Sequence, residues 1–169
     1  MTRVTVRFGV VLAFIFLIAY SGFATYRWME ADGKNKSMMS YAVSLADVPL
    51  WELAEAGSMF EYLIRHNATD ELLNERISTY SLHARTLSYS SAMLHALTKD
   101  EKYQIFRTAM KNLEGFFITV KNRPNGKEVL ESNLDVLKWI GEVLKEKRIS
   151  DLTFKEAEKI LELSGELKT

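Results

Sequence analysis

The chain has 169 residues, 22 lysines and arginines against 22 aspartates and glutamates, and 47% hydrophobic residues. That length suits one domain with a single core, and the balanced charge gives no argument for nucleic acid or an anionic surface as partner. Cysteine is absent, which excludes disulfides, thiolate zinc sites, covalent c-type haem attachment, a lipidated N-terminal cysteine and cysteine nucleophiles.

The first seven residues carry Arg3 and Arg7 and no acid, and the stretch from Phe8 to Tyr26 is uncharged. At about 1.5 Å per residue this stretch nearly crosses a hydrocarbon core of roughly 30 Å. Residues 1–28 are therefore expected to form a single-pass membrane anchor, with Phe8, Leu12, Phe16 and Tyr20 in lipid. Trp28 sits beside Arg27 in an aromatic belt. Small residues at Gly22 and Ala24, or at Ala19 and Ser21, also fit a cleavable signal peptide, which would leave a secreted domain. Basic residues flank both ends of the segment almost equally, and the short basic tail favours an inside N-terminus. The remaining chain is then extracytoplasmic, a location compatible with the sequons Asn35-Lys-Ser37 and Asn67-Ala-Thr69.

Residues 29–47 read as a juxtamembrane linker or helix. Within them Glu30 to Lys36 is polar and holds Gly33, a weak point in a helix. Asp47-Val-Pro49 marks a fresh helix start, because proline is tolerated where its missing N–H has no intrahelical partner. The bundle domain is expected to occupy residues 48–169.

Four amphipathic segments follow. The first, Val48 to His66, lines up Leu50, Leu53, Gly57, Phe60 and Ile64, and Asn67-Ala-Thr-Asp70 ends it and caps the next. The second, Asp70 to Leu97, sets Leu73, Ile77, Tyr80, Ala84, Leu87, Ser91 and Leu94 at steps of three and four, the seam that packs helix on helix. From Lys99-Asp100 the third continues with Tyr103, Phe106, Met110, Leu113, Phe117 and Val120, until Asn122-Arg-Pro-Asn-Gly126 breaks it. The fourth, Lys127 to Arg148, carries Leu130, Leu134, Leu137, Ile140 and Leu144. Thr153-Phe-Lys-Glu156 reads as a capping box opening a short last helix. Short connections favour antiparallel neighbours, so the expected fold is all-α: a membrane helix, then an up-and-down bundle of about four helices plus a short C-terminal helix.

Chemistry-bearing motifs are few. His83 and His95 are twelve residues apart, about 18 Å along a helix, too far to share a metal. No Glu-x-x-His step of a bundle di-iron site occurs. Nucleophile-elbow, zincin, phosphate-loop and dinucleotide signatures are also absent from the sequence, and no cofactor is expected. Glu52 and Glu55 border the apolar stripe of their helix. The hydroxyl-rich stretch Ser78 to Ser91 combines low helix propensity with many polar groups. In it Tyr80, His83, Arg85, Ser88 and Ser91 are candidates to line a polar cleft, with Arg85 suited to a carboxylate or phosphate. Alternatively, small Ala84 and Ser91 simply allow close helix packing.

Three functions fit this sequence. The first is a membrane-held interaction or accessory module that binds another membrane or envelope protein through an exposed patch around Trp51, Trp139, Phe116 or the last helix. The second is a ligand-binding or sensory domain. The third is an enzyme, for which the sequence offers only scattered histidines and carboxylates.

Overall fold

The computed structural model describes the backbone of residues 2–169 and the side chains of residues 16–169. The chain divides into two compact units, Met1–Met38 and Met39–Thr169.

The first unit belongs to helix α1 (Thr2–Ala54). Ion pairs one turn apart, Lys34 to Glu30 and Lys36 to Asp32, both at 2.7 Å, support helix through Gly33. Residues 29–47 are thus helical throughout. Among the described residues no helix is long and apolar enough to cross a membrane. The expected span from Phe8 to Tyr26 is therefore not recovered, and the side chains of Phe8 and Leu12 lie outside the described residues. Phe16, Tyr20 and Trp28 are described and exposed by 71%, 74% and 69%.

In the second unit α1 continues through Pro49. The expected fresh helix start at that proline does not occur. Pro49 is buried in the helix interior, where it has no N–H to offer the carbonyl of Leu45. The break comes at Glu55 instead, whose N–H bonds back to Glu52 O in a tighter turn before α2 (Ala56–Arg65) begins. Helices α3 (Asp70–Thr98) and α4 (Glu101–Lys121) form a hairpin, N-capped by the side chains of Thr69 and Asp100. Then come α5 (Gly126–Ser132), α6 (Leu134–Leu144), a 3-10 turn (Ile149–Asp151) and α7 (Phe154–Glu166).

Cross-links fix the directions. Arg85 pairs with Glu114 and Tyr80 packs on Phe117, so α3 and α4 are antiparallel. Asp47 pairs with Arg148 and Glu61 with Lys138, so the α1 end and α2 run antiparallel to α6. Lys147 to Glu156 and Asn133 to Lys168 set α6 against α7. The second unit is therefore an all-helical, up-and-down bundle.

Where one fourth helix is expected, the chain makes two. Asn133 is the cause. Its buried amide donates to Val129 O and Lys168 O, and its Oδ1 accepts from Lys168 N at 2.9 Å. The side chain thereby satisfies backbone groups of the C-terminal segment as a neighbouring strand would, and the helix breaks to aim it there.

Every expected stripe position on α3 and α4 is buried. At the centre Phe60, Tyr80 and Phe117 meet with ring centroids 5.2–6.1 Å apart, tying α2, α3 and α4 together in the geometry aromatic rings favour. The closest backbone approach joins the α1–α2 elbow to α6. A Cβ on Gly57 would stand 2.6 Å from Lys138 N, and one on Gly141 would collide with the carbonyl oxygen of Ala54. Both obstacles are backbone, so they cannot swing aside.

Gly141→Ala is expected to lower stability by about 1–3 kcal/mol, read from urea unfolding. Gly165→Ala, where a Cβ meets nothing within 4 Å, is the control and should not destabilise. A second expectation concerns acid. The capping box forms as read from sequence, with Thr153 N–H donating to Glu156 Oε2 at 2.9 Å. The side chain of Lys147 and this backbone N–H together hold the Glu156 carboxyl at about 2, well below the ordinary 4.5. Its stabilisation is present above pH 4.5 and lost as pH falls towards 2. Glu156→Gln should therefore lower the melting temperature at pH 7 and flatten its fall between pH 4.5 and 2.

Candidate functional site

The elbow at Glu55 opens a groove of about 620 Å³ between the end of α1, α2 and α3, lined by Trp51, Glu52, Glu55, Ser58, Met59, Tyr62, Arg76 and Tyr80. Trp51 and Tyr62 form apolar walls that are 63% and 58% exposed. Tyr62 is held in place by His66, whose ring lies 4.1 Å away, centroid to centroid. Met59 is half-buried between these walls and the core, and its flexible thioether suits a surface that adapts to what it touches.

Tyr80 closes the groove from the core side. Its ring is 1% exposed. Burial, reinforced by Glu52 and Glu55 and opposed by Arg76, pushes its phenol up to about 12. One turn on, the His83 ring lies 6.3 Å from that of Tyr80. Burial lowers the pKa of this imidazole, while Glu52 acts in the opposite direction. Glu52 thus faces both groups. The groove sets the carboxylates of Glu52 and Glu55 between the aromatic walls of Trp51 and Tyr62.

The other residues singled out from sequence lie elsewhere. Arg85 is on the far flank of α3, its Nε bonded to Glu114 Oε1 at 2.6 Å. Ser88 and Ser91 are buried, and Ser91 Oγ donates to Leu87 O at 2.7 Å. The hydroxyl-rich stretch therefore contributes Tyr80 and His83 to this region, while Ser78, Ser81 and Arg85 line a smaller cavity of about 160 Å³ between α3 and α4. Trp51 and Tyr62 gain their importance from the elbow, and the sequence signals for it, Pro49 and Gly57, pointed to other roles. Trp139 is 55% exposed, Phe154 on the last helix is 47% exposed, and Phe116 is buried at 3%.

A second exposed apolar feature adjoins the groove. Helix α1 buries Ala42, Ala46, Leu50 and Leu53, yet Tyr41, Leu45, Val48 and Trp51 on its other side are 62%, 38%, 63% and 63% exposed. Soluble helices normally place charge there. No group of acidic and histidine side chains suited to holding a metal ion occurs among the described residues. No protein-family model, curated protein or solved structure matches the chain.

Because folding raises the Tyr80 pKa, the stabilisation linked to its neutral form is complete below pH 10 and lost as pH rises towards 12. Tyr80→Phe should lessen the fall in melting temperature across that window. An ultraviolet titration should show one phenol fewer ionising near pH 12.

Proposed function

We propose that this chain is a membrane-tethered, extracytoplasmic interaction module that docks another membrane or envelope protein on the elbow groove and the adjoining face of α1. The observation that carries the reading is the exposed, aromatic-rich surface of Tyr41, Leu45, Val48, Trp51 and Tyr62. Exposed apolar patches rimmed by polar residues mark interaction sites, and tryptophan and tyrosine are the residues that anchor protein interfaces. Glu52 and Glu55 beside it supply a polar rim that accepts hydrogen bonds.

Support for the tether comes from the same helix. Phe16, Leu17 and Ile18 are consecutive and 62–71% exposed, and Tyr20, Phe23, Tyr26, Trp28 and Met29 are each at least 64% exposed. Three consecutive positions cover most of the helix circumference, so no single protein face would bury them, whereas lipid surrounds a helix on all sides. The uncharged residues upstream, Phe8 to Ile15, complete the length needed. Catalysis has no comparable support.

Affinity isolation from detergent-solubilised membranes tests the docking. Trp51→Ala and Tyr62→Ala should each reduce the recovered partner about tenfold or more, the weakening typical of an anchor residue. Leu82→Ala, at another exposed apolar position, should leave recovery unchanged. Equal loss, or no loss, from all three would overturn the assignment.

A further inference from the structure

We infer that the elbow groove receives a cationic side chain, a lysine or arginine carried by the docked protein, between Trp51 and Tyr62 and against Glu52 and Glu55. This rests on the docking reading above and specifies what the partner presents.

Charge comes first. Several acids of the bundle are neutralised from within: Glu61 is bridged by Arg65 and Lys138, Glu114 by Arg85 and Glu156 by Lys147. Glu52 and Glu55, three residues apart beside the elbow, are not. Among the described residues they take part in no ion pair and no side-chain hydrogen bond. Arg76 reaches the same groove from α3 and is likewise unpaired. The lining therefore carries two negative charges against one positive, a balance that a single added cation completes.

The Tyr80 hydroxyl is the second feature. Tyr80 is 1% exposed and lines the groove, and no described group hydrogen-bonds its hydroxyl. Among the described residues, the fully enclosed side-chain oxygen left without a partner is Ser90 Oγ, so the Tyr80 oxygen opens to the groove. There Glu52, Glu55 and Arg76 all act on it. A polar group on a buried side chain is costly to leave unbonded, and a neutral phenol accepts a hydrogen bond from an ammonium or guanidinium N–H.

The walls narrow the choice of occupant. Ring faces attract cations through the aromatic quadrupole. An anion would find Arg76 but would also face both carboxylates, and an apolar group would strip them of water without replacing it. A small free cation is poorly served, because small-ligand sites bury most of their ligand's surface, whereas Trp51 and Tyr62 are 63% and 58% exposed. A side chain delivered by a protein brings with it the body that covers the open side.

The probes are Nα-acetyl-argininamide and its uncharged isostere Nα-acetyl-citrullinamide. They are titrated at low ionic strength, where exposed charges are least screened, into the purified full chain in detergent. Trp28→Phe and Trp139→Phe leave Trp51 as the one fluorescent tryptophan, and circular dichroism confirms folding of each variant. The expected result is a saturable change in Trp51 emission with the arginine probe and none with the citrulline probe. Glu52→Gln combined with Glu55→Gln should weaken the arginine probe about tenfold, and Arg76→Gln, which removes a competing cation, should tighten it. Equal responses to the two probes, no response to either, unchanged affinity in the double glutamine variant, or weaker binding in Arg76→Gln overturns the cationic occupant. Partner recovery separates that failure from failure of the docking itself. Loss with Trp51→Ala but none with the double glutamine variant keeps the docking and removes the cation, whereas recovery unchanged by every variant overturns both.

Discussion

The bundle depends on the contact in which the elbow between α1 and α2 presses backbone to backbone on α6. Gly57 lies against Lys138 N and Gly141 against the Ala54 carbonyl, and neither helix can carry a side chain at the crossing. Helices that touch this closely gain dispersion contact along their whole length but lose it at once if a methyl group intervenes. The outlying links of this pair fall on either side of the crossing, with Asp47 bound to Arg148 on one side and Glu61 bridging Arg65 and Lys138 on the other. These surface pairs add little energy singly. They set register, which the glycines then make unforgiving.

The groove is a consequence of that crossing. The break at Glu55 lets α2 leave the line of α1, and Trp51, Glu52 and Glu55 before it come to share a concavity with Met59 and Tyr62 after it. The aromatic trio of Phe60, Tyr80 and Phe117 forms the rigid core beneath.

Helix α1 shows how one element can face three surroundings. Near Phe16 it exposes apolar side chains at consecutive positions. Around Gly33 it is polar and laced with ion pairs. Beyond Met39 it divides into a buried stripe and an exposed one. The absence of charge from Ser37 to Ala46 is the feature that composition averaged over the whole chain conceals, since the overall charge is zero and unremarkable.

Periodicity alone determined the helical class, the seams of α3 and α4, the caps at Thr69 and Thr153 and the loop after Lys121, because each rests on residues within a few positions of one another. The expected membrane span was likewise read from local composition, and among the described residues no helix is long and apolar enough to cross a membrane. What only the tertiary structure decided were features that depend on partners distant in sequence. Asn133 breaks a helix because Lys168 offers it backbone groups. Pro49 can remain inside α1, and the break falls at Glu55, where the elbow meets Gly141. Arg85 leaves the expected cleft because Glu114 on α4 takes it. Trp51 and Tyr62 become one surface because the elbow folds them together. Local spacing specifies which face of a helix is apolar, but which apolar face the protein itself covers is set by long-range packing, and on α1 the packing covers only one of two.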